Sequence, residues 1–159
     1  MDDKIKQVTG EISARGLRVG IVAARFNDFI VDRLVDAAVE TLLAHGAEPG
    51  DLTKVYVPGA FEIPVAVKKM AVGKRYDAIV ALGCVIRGAT PHFDYVAGES
   101  SRGLAQVAVD YELALGFGVL TVDTLEQAIE RAGSKAGNKG ADAALTAMRM
   151  ASVLRQLDS

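Results

Sequence analysis

Four short apolar runs, each followed by a stretch of helical periodicity, constrain this chain more than any other feature of its sequence. Residues 17–24, 76–83 and 114–122 are β-branched or small and almost free of charge, as strands covered on both faces are. Residues 53–57 form a shorter run. Between the runs, apolar side chains recur at three- and four-residue intervals: Ile30, Leu34, Ala38 and Leu42; Ile63, Val67 and Met70; then Phe93, Val96, Ala97, Leu104, Val107, Ala108 and Tyr111. Leu125, Ala128 and Ile129, and a last stripe of Ala141, Ala144, Leu145, Met148 and Ser152, follow the fourth run. Strand and helix alternate four times, which predicts a four-stranded parallel sheet with right-handed crossovers and helices on both faces. The expected architecture is a three-layer α/β/α fold of flavodoxin-like type.

Local signals mark the joints. Asn27 is placed to cap the first helix and Asp28 to meet the positive end of its dipole, while Gly46 stops it. His45 complements the negative end. Pro58 and Gly59 end the second strand sharply, and Pro64 fits only a first helical turn. Thr124 with Gln127 makes a capping-box start, and Gly133 ends that helix. Residues 134–140 read as a basic, glycine-rich hinge. Residues 1–16, with only Ile5, Val8 and Ile12 in loose alternation, read as an N-terminal arm or a short edge strand. The whole chain, 1–159, reads as one domain without repeats or linkers.

Charge and cysteine content narrow the partners. The 18 basic and 20 acidic residues leave a net charge of -2 and a pI near 5.7, so no global field draws the chain to nucleic acid or to an anionic membrane. The single cysteine, Cys84, excludes an internal disulfide and suits a reducing compartment. No apolar run reaches membrane-spanning length and the first residues lack a signal peptide's apolar core, so a cytoplasmic location is expected. Mean hydropathy is +0.23, high enough that part of the surface is expected to be covered by sister subunits. No cysteine cluster or paired histidine offers a metal site.

The chemistry concentrates after the third run, where Cys84-Val85-Ile86-Arg87-Gly88-Ala89-Thr90-Pro91-His92-Phe93-Asp94 leads from a strand into a helix. In an open α/β sheet that is the edge where ligands bind. Gly88 permits close approach to the backbone, Thr90 adds a hydroxyl, and free N–H groups entering the helix favour an anion such as phosphate. His92 exchanges a proton near neutral pH without special tuning. Two further corners, Phe26-Asn27 and residues 59–64, reach the same edge.

In their order and spacing, Arg25-Phe26-Asn27, PGAFEIP, GCVIRGATPHFDYV, FGVLTVDTLEQAIERAG and KAGNKG resemble the lumazine synthase family, from about residue 17 to the C-terminus. The resemblance implies condensation of 5-amino-6-(D-ribitylamino)uracil with 3,4-dihydroxy-2-butanone 4-phosphate. The product is 6,7-dimethyl-8-ribityllumazine, in the penultimate step of riboflavin synthesis, with release of phosphate and water and no metal or cofactor. By the same resemblance Phe26 stacks on the pyrimidine, and Glu62 accepts from the ribityl hydroxyls beside Asn27 and the backbone of Ala60 and Ile63. Phe61 walls the cleft and Cys84, Val85 and Ile86 line it, Cys84 as a small core residue and not a nucleophile. Gly88, Ala89 and Thr90 hold the phosphate with Arg131 as its clamp, His92 accepts the proton, and Lys139 touches the pyrimidine while Lys135 faces solvent.

Phe117 corresponds to an aromatic lent by a neighbouring subunit, which puts the site between protomers. Family members form pentamers, and many build a sixty-subunit icosahedral shell that can hold riboflavin synthase; the short 133–140 hinge resembles those members. Without the family, plainer readings stand: Phe26 as a helix staple, Glu62 and Arg131 as dipole complements, His92 as a structural histidine. Two other functions stay open, a flavin- or lumazine-binding module and a shell protein without catalysis. The chain departs from the family at Ala114-Leu115-Gly116, where Pro-Val is common before the Phe-Gly pair and a looser strand start is expected. It departs again at Ala89, where many relatives carry an acidic residue.

Overall fold

The computed structural model describes residues 3–159; Met1 and Asp2, at the tip of the expected arm, lie outside the described residues. In chain order the elements are β1 (Val19–Ala24), α1 (Asp28–Ala44), β2 (Leu52–Val57), α2 (Ile63–Val72), β3 (Ala78–Ile86), α3 (His92–Asp110), β4 (Ala114–Val122), α4 (Leu125–Arg131), β5 (Ala132–Ser134), β6 (Gly137–Asn138) and α5 (Lys139–Leu157). The first four strands form one parallel sheet in the order β2-β1-β3-β4. All of β1 and the first seven residues of β3 are buried, because both faces of the central strands are covered.

Alternate residues serve the two faces. Val19, Ile21 and Ala23 of β1 join Val80 and Leu82 of β3 under α1, α4 and α5. Val22, Ala24, Ile79 and Ala81 face α2 and α3. This is the expected three-layer, flavodoxin-like arrangement. Fully buried side chains such as Leu34, Leu42, Ile63, Leu104 and Met148 each contribute about 1.5–3 kcal/mol through burial. A methyl group on Gly116 would overlap the Ala143 carbonyl, and one on Gly140 would overlap that of Leu34. These two glycines are what let α5 lie directly on β4 and α1.

Several expectations need correction. β3 continues to Ile86, so Cys84, Val85 and Ile86 are strand residues paired with Leu120, Thr121 and Val122; the longer β4 run gives them partners. The arm forms no strand among the described residues. It lies along α5 instead, where the Glu11 N–H donates to Ser152 Oγ at 3.1 Å and Gln156 Nε2 to the Thr9 carbonyl at 2.7 Å. The 134–140 hinge is partly ordered, because β5 and β6 pair antiparallel and the Asn138 side chain caps α5 by accepting from the Gly140 and Ala141 N–H groups. On α4 only Ala128 reaches the core, while Leu125 and Ile129 are 40% and 46% exposed. β4 does not start loosely: Ala114 pairs with Ala78, and the register is unbroken through Val122. The Thr124–Gln127 capping box is present as read. No helix among the described residues is long and apolar enough to cross a membrane.

Candidate active site

From β1 the chain moves outward to β2, then crosses back over β1 to reach β3 and continues to β4 on the far side. Loops leaving β1 and β3 therefore part in opposite directions, and a crevice opens between the carboxyl ends of these strands. Backbone bonds set the β1 corner rigidly. The Arg25 N–H donates to the Val57 carbonyl at 2.8 Å and the Phe26 N–H to that of Pro58 at 3.0 Å. Asn27 takes a left-handed conformation, φ 63°, and does not cap α1 with its side chain. Its Nδ2 donates to the Cys84 carbonyl at 2.8 Å. The expected cap is thus a cross-strand tie from β1 to β3. With the corner held from both sides, the Phe26 ring stands 72% exposed.

A 3₁₀ turn over Ala60–Glu62, with the Glu62 N–H donating to the Gly59 carbonyl at 3.1 Å, leads into α2. It places Phe61 and Glu62 across from α3. Phe26, Ala60, Phe61, Glu62, His92, Tyr95 and Val96 line an open cavity of about 560 Å³. A recess of about 250 Å³ shares Phe26, Ala60, His92 and Val96 with it and extends to Cys84, Val85, Ile86, Gly88 and Thr90. His92, the first residue of α3, belongs to both walls. Burial pushes the Cys84 thiol up to about 11, so it is neutral and unreactive near neutral pH.

Not every expected residue enters this crevice. Ile63 is fully buried beneath it, and Ala89 sits exposed on the loop beside Thr90. Phe117, Arg131 and Lys139 gather elsewhere, in a groove of about 320 Å³ along the open edge of β4. There Phe117 is 48% exposed, an Arg131 guanidinium N–H donates to the Gln127 carbonyl at 3.0 Å, and Lys139 Nζ lies 3.7 Å from Asp142. The crevice and the groove share no residue. A third hollow, of about 350 Å³ between α1, α4 and β5, holds none of the expected residues.

The family model described as 6,7-dimethyl-8-ribityllumazine synthase matches residues 16–155. The chain belongs to the lumazine synthase family. Among its relatives, the 6,7-dimethyl-8-ribityllumazine synthase of Nitratidesulfovibrio vulgaris strain Miyazaki F is 55% identical over 153 residues, covering 96% of this chain and 98% of that protein. Those of strains DP4 and Hildenborough are 56% identical over the same share of both chains.

Pro58, Gly59, Phe93, Tyr95 and Val96 also line the crevice of this lumazine synthase family member and were not among the expected site residues. Tyr95, 69% exposed, follows His92 by three positions on α3 and so shares its face. The three-residue spacing from His92 is the sequence signal for Tyr95, and it lies outside the apolar stripe of α3. Among the described residues no three histidine, cysteine, aspartate or glutamate side chains cluster as metal ligands.

Proposed function

We propose that the chain condenses 5-amino-6-(D-ribitylamino)uracil with 3,4-dihydroxy-2-butanone 4-phosphate to form 6,7-dimethyl-8-ribityllumazine, the product named in its family and its relatives. The observation that carries the site assignment is the meeting of Phe26, Glu62, Thr90 and His92 around one crevice at the strand tips. In this reading Phe26 stacks on the pyrimidine and Glu62 accepts hydrogen bonds from the ribityl hydroxyls. Gly88, Ala89 and Thr90 hold the phosphate. The 5-amino nitrogen attacks the ketone and water leaves as the imine forms. His92 then takes a proton from the carbon chain as the C–O bond to phosphate breaks, and ring closure with loss of a second water gives the product. Holding two substrates side by side supplies up to roughly 7–11 kcal/mol in favourable cases.

The crevice lining contains no lysine or arginine, while the β4 groove offers Arg131 and Lys139 and no proton acceptor. A dianionic leaving group needs both. The chain is therefore a homo-oligomer in this reading, with the groove of one protomer closing the crevice of the next. Its further assembly as pentamers in a sixty-subunit shell, with riboflavin synthase as a guest, follows from the family likeness; neither nucleic acid nor membrane is a partner. The test is to mix the purified protein with both substrates and follow lumazine fluorescence. Turnover supports the reading, and a bound yellow chromophore without turnover contradicts it in favour of a storage protein.

A further inference from the structure

Arg87 has no part in the chemistry just described, yet its side chain meets Asp94, Asp123 and the Phe93 ring. The loop begins where the Arg87 N–H donates to the Val122 carbonyl at 2.8 Å and ends where the Asp94 N–H donates to that of Pro91 at 3.0 Å. Gly88, Ala89 and Thr90 between those anchors are all exposed, so little packing holds them, and segments with few buried contacts open easily. The Arg87 guanidinium spans this weak point. Its Nε donates to Asp123 Oδ1 at 2.9 Å, a terminal nitrogen lies 3.6 Å from Asp94 Oδ1, and its carbon lies 4.4 Å from the Phe93 ring centroid. Phe93 and Asp94 immediately follow His92 in the first turn of α3. Asp123 leads into the capping box of α4, the helix that ends at Arg131.

We propose that Arg87 is a positioning residue that fastens the anion loop and the His92 turn of α3 to the head of α4, so that both are preset for the phosphate-bearing substrate. This rests on the reading of residues 88–92 as the phosphate and proton-transfer site. Arg87 is not itself the anion ligand, because two carboxylates already match its charge. The hydrogen bond to Asp123 raises the pKa of a guanidinium that is charged in any case. A planar fork that also stacks on a ring is not reproduced by an ammonium group. Exposed ion pairs add little to global stability, so the effect falls on the loop and not on the fold.

The test uses the whole protein, comparing wild type with Arg87→Ala, Arg87→Lys and Asp123→Asn by hydrogen exchange and by steady-state kinetics. Exchange of the Asp94 amide, which donates to the Pro91 carbonyl, is expected to rise about tenfold in Arg87→Ala and Asp123→Asn, with Arg87→Lys between them and wild type. KM for the butanone phosphate and the inhibition constant of inorganic phosphate rise in parallel, KM for the pyrimidine stays within about twofold, and Tm barely moves. Unchanged exchange in Arg87→Ala overturns the proposal whatever the activity. So does tighter phosphate binding in Asp123→Asn, the sign expected if freeing the guanidinium exposed a direct ligand. Full rescue by lysine would reduce the role to charge and overturn it as well. A wild type that makes no lumazine sinks the functional reading alone, since the exchange rates still report on the clasp.

Discussion

The crevice at the tips of β1 and β3 and the groove along β4 are each organised around an exposed phenylalanine, but they are fastened in opposite ways. Phe26 sits on a corner tied by backbone and side-chain hydrogen bonds to β2 and to β3. Phe117 sits on an edge strand, with its cation partners on the short helix α4 and at the head of α5. The crevice supplies a carboxylate, a hydroxyl and an imidazole; the groove supplies a guanidinium and an ammonium. In the proposed reading, their separation within one chain leaves neither of them a whole site. A charge-rich groove spread on an open strand edge gains by meeting a rigid, charge-poor crevice, and two copies of one chain can meet heterologously in that way.

Changes on the two sides should therefore produce different kinetic signatures. The largest effect is expected for His92→Ala, where loss of proton transfer lowers kcat by roughly 10²–10⁴-fold while sedimentation stays unchanged; unaltered kcat would remove His92 from the chemistry. Arg131→Ala removes charge-assisted hydrogen bonds of about 1.5–3 kcal/mol, so KM for the phosphate substrate rises by one to two orders of magnitude, measured by initial rates. If KM for the pyrimidine rises instead, the groove faces the other substrate. Phe26→Ala and Phe117→Ala each lose stacking of about 1–3 kcal/mol, read as weaker binding of the pyrimidine; Phe117→Ala alone should also weaken assembly. The smallest effect is at Cys84, whose thiol is neutral until pH nears 11. Cys84→Ala is expected to leave kcat/KM within about twofold. Because the folded pKa is raised from 9.0 to about 11, the thiol's contribution to stability is whole below pH 9 and is lost between the two values. Denaturant titrations at pH 8 and pH 11 check that sign.

The same contrast marks what the sequence could disclose. Fold class was legible because β1 and β3 are covered on both faces, and burial on both sides writes an unbroken apolar run. The end of β3 was not legible: Gly83 and the polar stretch after Ile86 bracket residues whose strand character depends on β4, a partner more than thirty positions away. Asn27 has cap chemistry, yet its side chain finds the Cys84 carbonyl, a bond set by tertiary packing. Leu125 and Ile129 carry a helix period and still face outward, since only Ala128 of that helix reaches the core. Of the proposed site, Thr90 and His92 were marked by the strand-to-helix corner and Phe26 and Glu62 by the family likeness, and all four line the crevice. That Arg131 and Lys139 would sit with Phe117, away from Thr90, emerged only when β4 was placed at the sheet edge.

The division of one site between two copies can be tested most directly by mixing two defective chains. His92→Ala keeps the β4 groove intact and Arg131→Ala keeps the crevice intact, and with the butanone phosphate held well below the KM expected for Arg131→Ala each alone should be nearly inactive. Co-assembled at equal amounts, they are expected to restore about a quarter of the wild-type sites, because a random heterologous contact pairs a sound crevice with a sound groove that often. Mixed oligomers that form, as judged by two affinity tags on the same particle, yet recover no activity would show that His92 and Arg131 serve one chain's own site and would contradict the account.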